Sequence, residues 1–311
     1  MRGAMIVPAP LAPGSTVRII APASPFDLRL MWRGMGWLAE RYRVRFSRRI
    51  FERCGYLAGS DDSRLAELRR ALEEADVGAV FCARGGYGIS RIAHRIDWNV
   101  LRRSPRWLVG FSDVTALHVE ASASGVASLH ASNVTGLGRG DALMRAAMVR
   151  ALEHPDEARV FDDLEVVTAG DAHGQLQGGN LTLLHACAVA GRLRIADGCV
   201  LLIEDVGERP YRIDRMLTTL QVGGYLARPS AFVVGELDDC RAGADGVTTR
   251  DVIAERLGRL GVPVVTGAPV GHGLRNQPVV LGLTARVAAN AAGGVVKFGA
   301  KSVTKRCHVA S

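Results

Sequence analysis

The chain has 311 residues, 48% of them hydrophobic and 23% charged. That length holds about two domains of roughly 100–200 residues each, and the composition supports a sizeable core, which excludes a disordered tail, a collagen and a disulfide-stapled miniprotein. The 39 basic against 31 acidic residues give a net charge of +8, while aromatic residues make up only 5%, too few to suggest a stacking platform for single-stranded nucleic acid.

In chain order, Thr16 to Ala21 reads as a strand that ends at Pro22 and Pro25, followed by a helical pattern from Leu28 to Tyr42 and an extended stretch from Val44 to Phe51. Ser60-Asp61-Asp62 is a helix-capping cluster ahead of Leu65, Leu68 and Leu72, whose i, i+3, i+7 spacing is helical. Val77 to Ala83 is an apolar strand broken by Arg84-Gly85-Gly86-Tyr87-Gly88, after which a helix is expected to about Arg95. Trp107 to Phe111 is the next strand, and a helix from Asp113 to Ala123 follows at once. This βαβα rhythm predicts an α/β fold with a parallel sheet of the Rossmann or flavodoxin kind, which places ligands at the carboxyl ends of its strands. The loops there are the glycine-rich one at 84–88 and the turn at Ser112.

Residues 1–155 are therefore expected to form the N-terminal α/β domain, 156–169 a connector, and 170–311 a smaller, mixed α/β C-terminal domain. In that second domain Gly178-Gly179-Asn180 precedes a helix from Leu181 to Ala190, and Val200 to Ile203 is a buried strand ending on Glu204. A helix over Tyr211 to Leu220, a strand over Phe232 to Leu237, a helix over 249–260 and an extended Val262 to Thr266 come next. Gly267 to Gly273 is a turn-rich loop, Val279 to Ala288 alternates like one strand, and the last fifteen residues read as a loosely packed tail.

The basic excess does not mark a nucleic-acid patch. Lysine occurs only at Lys297, Lys301 and Lys305, so the other 36 cations are arginines, scattered and often beside acids as in Arg64-Glu67-Arg69-Arg70-Glu73-Glu74. The six cysteines, Cys54, Cys82, Cys187, Cys199, Cys240 and Cys307, form no CxxC pair and suit a reducing cytosol. No segment reaches the roughly 18 apolar residues of a membrane span. Pro8, Pro10 and Pro13 break the apolar N-terminus, which makes a poor signal peptide. A cytoplasmic protein without a membrane partner is expected.

Ser112, in Gly110-Phe111-Ser112-Asp113, sits between an apolar strand and a helix, the layout of a nucleophile elbow. Val114 stands where G-x-S-x-G needs glycine, so two readings remain: a nucleophile, or an N-cap serine on the helix. Gly85 and Gly86 supply either backbone N–H groups for an anion or only a tight turn, and no complete dinucleotide fingerprint follows them. Glu204 closes an apolar run, where a carboxylate is costly unless paired; it is functional or bridged to Arg212 or Arg215. His272 lies between Gly271 and Gly273, reachable as a general base or merely exposed. Ser302-Val303-Thr304-Lys305 matches S-x-x-K without its companion motifs. His118 with Glu120, and His173 with His185, lack metal-ligand spacing.

Taken together, these blocks resemble the L,D-carboxypeptidase (muramoyltetrapeptide carboxypeptidase) family of serine peptidases. The resemblance rests on Ala83 to Gly88, Gly110 to Leu117, Gly179-Asn180-Leu181, Glu204 to Glu208 with Tyr211 to Arg215, and Gly271-His272-Gly273, and it extends to Pro13 to Val17 and Ala21-Pro22. It implies a Ser112, His272 and Glu204 triad, an oxyanion hole from Asp113 and the Gly85-Gly86 turn, and no metal or organic cofactor. It also implies a homodimer that removes the terminal D-alanine from murein tetrapeptides during cytoplasmic cell-wall recycling. Arg84 is the arginine expected to read the free carboxylate of that small peptide. The alternative within the family is a microcin-immunity-type peptidase acting on aminoacyl–nucleotide conjugates. Such proteins tend to carry a longer insertion with a base-stacking aromatic between nucleophile and carboxylate, whereas residues 133–180 here hold no Trp or Tyr and only Phe161. An alternative of a different class is a non-catalytic binder of a nucleotide or peptidoglycan fragment.

Overall fold

The computed structural model describes residues 5–273 and 275–299. The first half runs β1 (Thr16–Ile20), α1 (Leu28–Ala39), β2 (Arg43–Phe46), α2 (Asp61–Glu73), β3 (Val77–Cys82), α3 (Asn99–Arg103), β4 (Trp107–Gly110), α4 (Thr115–Ala123), β5 (Ser128–His130), α5 (Val134–Arg139) and α6 (Ala142–Glu153). The second half runs β6 (Arg159–Thr168), β7 (Gly170–Asn180), α7 (Leu181–Val189), β8 (Val200–Val206), α8 (Pro210–Val222), β9 (Ala231–Asp238), α9 (Thr249–Arg256), β10 (Val264–Thr266), β11 (Val279–Leu281), β12 (Thr284–Asn290) and β13 (Gly293–Phe298).

Two sheets organise the molecule. The first has the order β2-β1-β3-β4-β5, all parallel, with β11 added antiparallel at the β5 edge. Its strands β1, β3 and β4 are mostly apolar because both faces are covered, with buried Arg18 of β1 paired to Glu67 and Glu74: Val17 and Ile19 face one core with α1 and α5, whereas Ile20, Val80 and Leu108 face another. The second sheet closes on itself as β10-β6-β13-β12-β7-β8-β9, which leaves it no open edge. Val200 and Leu202 of β8 point into the barrel with Phe161, Val233, Val287 and Val296. Leu201 and Ile203 point outward and join Val80, Leu108 and Leu117 in one core shared by both halves.

Several expectations need correction. Residues 156–169 are not a connector, since Arg159–Thr168 is a barrel strand between β13 and β10. Val279 to Ala288 is two strands, because β11 pairs with β5 of the first sheet while β12 belongs to the barrel. The C-terminal part thus returns a strand to the N-terminal sheet. The helix expected up to Arg95 is two 3₁₀ turns, Ile89–Arg91 and Ala93–Arg95; buried Ile89 and Ile92 repeat at three residues, the 3₁₀ period. The stretch to Phe51 extends only through β2 and then makes a 3₁₀ turn at Arg48–Phe51. The helix read over 249–260 ends at Arg256. Of the tail lysines, Lys297 lies in β13, whereas Lys301 and Lys305, with Cys307 and the S-x-x-K match, lie outside the described residues.

Candidate active site

The strand order 2-1-3-4-5 reverses direction between β1 and β3, and such a switch opens a crevice at the carboxyl ends of the strands. The loop after β1, the glycine loop after β3, the turn after β4 and the end of β5 all converge there. Ser112 follows β4 with φ of 67°, a left-handed conformation uncommon for any residue other than glycine. The N-cap reading is overturned: Phe111 precedes the 3₁₀ turn Ser112–Val114, Val114 precedes α4, and neither terminus carries a side-chain cap bond. The backbone at Ser112 has the strained geometry of a nucleophile elbow although glycine is absent at 114.

Gly85 is required by close approach. A Cβ there would lie 2.8 Å from Ser112 Cβ, 3.0 Å from its Oγ and 3.3 Å from the Asp113 backbone nitrogen. The glycine loop is therefore pressed against the serine and the N–H that follows it. Asp113 fastens the loop: its Oδ2 accepts from Ile89 N at 2.9 Å. Tyr87 N donates to Ser24 Oγ at 3.1 Å, and Arg64 donates to Gly88 O at 2.8 Å and to Pro22 O. Burial pushes the Asp113 carboxyl up to about 7, against the opposing effects of the Ile89 N–H and the Arg64 charge.

Glu204, within β8 two residues before it ends at Val206, is fully buried, and its Oε2 lies 2.7 Å from His272 Nδ1. Neither Arg212 nor Arg215 bridges it; Arg212 pairs with Glu208. His272 is held from the other side by the Phe111 ring, whose centroid is 4.7 Å away. Burial works against a charged imidazole, but the Glu204 hydrogen bond and charge outweigh it and raise the His272 pKa above the ordinary value. Burial likewise pushes Glu204 up, yet His130 and His272 together hold its carboxyl below the usual range. A hydrogen bond between Nδ1 and a carboxylate fixes the tautomer and leaves Nε2 to accept a proton.

Ser112 and His272 line one cavity of about 500 Å³ together with Arg84, Gly85, Gly86 and Arg139. Glu204 stands behind the imidazole and Asp113 beneath the turn. Arg84 donates Nη1 to Pro25 O at 2.8 Å and still faces the cavity. Arg139, which carries no distinguishing signal in the sequence, arrives through tight packing of α5 on α1: a Cβ at Gly138 would meet Leu30 O at 1.9 Å. Asn133 also lines the cavity and accepts from Phe111 N at 3.3 Å. The Gly179-Asn180-Leu181 block is a brace between the halves. Asn180 N donates to Thr115 Oγ1 at 3.0 Å, and Asn180 Nδ2 donates to Asp205 Oδ1 at 2.9 Å, beside Glu204.

A serine on a strained strand-to-helix turn, sharing a cleft with a carboxylate-bound imidazole, defines a hydrolase-type site on a two-sheet α/β scaffold. Models of the LD-carboxypeptidase N-terminal domain and C-terminal domain match residues 17–131 and 173–287. The chain belongs to the LD-carboxypeptidase family of peptidases. It is 38% identical to a putative carboxypeptidase of Streptomyces coelicolor, covering 86% of this chain and 88% of that one. It is 32% identical to the murein tetrapeptide carboxypeptidase of Pseudomonas aeruginosa, covering 88% and 93%. A crystal structure of muramoyltetrapeptide carboxypeptidase from Oxalobacter formigenes superposes with a TM-score of 0.81 at 27% identity, covering 91% and 98%. The microcin C7 self-immunity protein MccF superposes with a TM-score of 0.85 at 17% identity, covering 97% and 100%, a likeness of fold.

Proposed function

We propose that this protein is a serine-type L,D-carboxypeptidase that removes the terminal D-alanine from murein tetrapeptides. The observation that carries the reading is the 2.7 Å contact between His272 Nδ1 and Glu204 Oε2, made beside the cavity that Ser112 lines at φ of 67°. Ser112 Oγ attacks the amide carbonyl and His272 Nε2 takes its proton, while Glu204 stabilises the imidazolium that results. The Asp113 N–H and the Gly85-Gly86 turn receive the oxyanion. His272 returns the proton to the leaving D-alanine nitrogen, and water then releases the tripeptide from Ser112 by the same route in reverse. Arg84 and Arg139 supply the cations for the substrate's free carboxylate. The same proposal places the reaction in the cytoplasm and the chain in a homodimer; among the described residues no helix is long and apolar enough to cross a membrane.

The likeness to MccF keeps an aminoacyl–nucleotide substrate as the second reading. Against it, Phe161, the lone large aromatic between 133 and 180, is buried in the barrel and packs on Phe298 with centroids 4.9 Å apart. It is not available to stack on a base. Mass spectrometry of murein tetrapeptide incubated with the protein and with Ser112→Ala tests the proposal. Loss of one alanine with the unsubstituted protein alone is expected; no loss with either overturns it and sends the search to aminoacyl–nucleotide conjugates.

A further inference from the structure

His130 ends β5, next to the strand that delivers Ser112, and pairs through its backbone with Gly110 and Val279. Its side chain is completely buried, and among the described residues neither ring nitrogen has a hydrogen-bond partner. Glu204 Oε1 is likewise buried without a hydrogen bond, while Oε2 is taken by His272. These two unsatisfied groups face one another, with His130 Nε2 3.7 Å from Glu204 Oε1. The separation exceeds hydrogen-bond length but is well within electrostatic reach in a dry interior. Buried polar groups left unpaired are costly and rarely kept without use.

The Phe111 ring lies 6.0 Å from the His130 ring on one side and the His118 ring 6.0 Å on another. His118 is spent elsewhere: its ring nitrogens contact Ser128 Oγ at 2.9 Å and Gly110 O at 2.8 Å, and burial, aided by neighbouring His130, pushes its pKa down to about 3. It stays neutral and offers Glu204 nothing. His130 is thus the group on the first sheet that addresses the barrel carboxylate.

We propose that His130 is a positioning residue of this site, its Nε2–H directed at Glu204 Oε1 so that the carboxylate stays ionised and oriented toward His272. The proposal rests on the Ser112, His272 and Glu204 reading above. The carboxylate selects the tautomer, since an acceptor at Oε1 favours the proton on Nε2. Glu204 is then held at both oxygens, Oε2 by the imidazole that works and Oε1 by an imidazole that does not.

The sign of the effect follows from treating Glu204 and His272 as one titrating pair. The pair carries one negative charge when His272 is ready to accept a proton and none after it has done so. The positive end of the His130 N–H dipole favours the charged form. Removing it makes the pair bind its proton more readily, so the apparent pKa rises. The other titratable groups around the pair are His118 on α4, Asp205 on β8, Glu236 and Asp238 on β9, and Arg275 beyond the His272 loop. They are common to every variant compared.

The test is an NMR titration of ¹⁵N-histidine protein, with the His272 signal assigned by its loss in His272→Gln, alongside the pH profile of alanine release from murein tetrapeptide. In His130→Phe the apparent pKa of the pair is expected to rise by about half a unit, and the acid limb of kcat/KM moves up with it. His130→Gln, whose amide reaches the position of Nε2, restores both. If His130→Phe does not fold, His130→Asn replaces it, because the shorter amide stops at the position of Nδ1. An unchanged His272 titration in the folded variant overturns the proposal while alanine release leaves the enzyme reading intact. A titration that moves in Phe and returns in Gln, with no alanine released by the unsubstituted protein, upholds the His130 relationship and overturns the substrate.

Discussion

Glu204 and His272 meet across 2.7 Å although 68 residues apart in the chain, one within barrel strand β8 and the other in a glycine-flanked loop. The contact joins a fully buried carboxylate to a side chain that retains 17% exposure. That gradient suits a base which must touch substrate while its partner stays dry.

Glu204→Gln is accordingly expected to lower kcat by about 10⁴-fold while preserving the fold. The amide keeps the shape of the carboxylate but no longer stabilises the imidazolium. Because Glu204 is what raises the His272 pKa against burial, the His272 titration should fall to lower pH in this variant. Steady-state kinetics and histidine NMR check the two halves separately; a His272 signal that titrates as before would sever the link.

Asp113 makes stability depend on pH in the opposite sense to an ordinary surface carboxylate. Burial raises its folded pKa from the ordinary carboxylate range to about 7. The folded state therefore holds a proton that the unfolded chain has released, and stability falls as pH rises between about 4 and 7. Asp113→Asn keeps an oxygen for the Ile89 N–H and removes the buried charge. Its Tm should match that of the unsubstituted protein near pH 4 and exceed it increasingly toward pH 7, by on the order of 4 kcal/mol in stability at most. Parallel curves across that range would mean that the carboxyl is not proton-bound in the fold.

The parts of the molecule legible in the sequence are those where burial is two-sided. β3, β4 and the Val200 to Ile203 part of β8 read as apolar runs, and β1 as one interrupted by Arg18, because each faces a core on both sides. Glu204 stood out for the same reason, as a charge ending such a run. β6 and β7 escaped notice because their buried patterns are patchy, with Asp162, Asp163 and Gln175 between the few residues that enter the barrel. β5 is three residues long, too short for any period, so His130 carried no signal. The φ of Ser112 was invisible because the usual glycine at 114 is Val114, and a backbone angle is set by packing around the turn. Arg139 was hidden on a short helix whose signature is the glycines that let it approach α1.

Gly85→Ala should abolish activity more thoroughly than it harms the fold. The added methyl carbon would sit 2.8 Å from Ser112 Cβ and 3.3 Å from the Asp113 nitrogen. Either the serine or the N–H beside it must move, and both belong to the proposed reaction. A loss of at least about 10²-fold in kcat is expected, with a Tm within a few degrees of the unsubstituted protein. Retention of full kcat would show that the loop gives way without disturbing the turn.

Arg139 offers the sharpest test of how the substrate's end is read. Arg84 already commits one nitrogen to Pro25 O, whereas Arg139 lines the same cavity with no hydrogen-bond acceptor among the described residues. A carboxylate bound by a guanidinium fork is lost as uniform binding when the fork is removed, so KM should rise and kcat hold nearly steady. Arg139→Ala is expected to raise KM for murein tetrapeptide by about 10- to 100-fold. A tetrapeptide ending in D-alaninamide supplies the control, because it lacks the charge that Arg139 is proposed to read. The unsubstituted protein should bind it at least as weakly as Arg139→Ala binds the acid, and the substitution should weaken it no further. Equal losses on both peptides would assign Arg139 to packing of α5 and leave carboxylate recognition to Arg84.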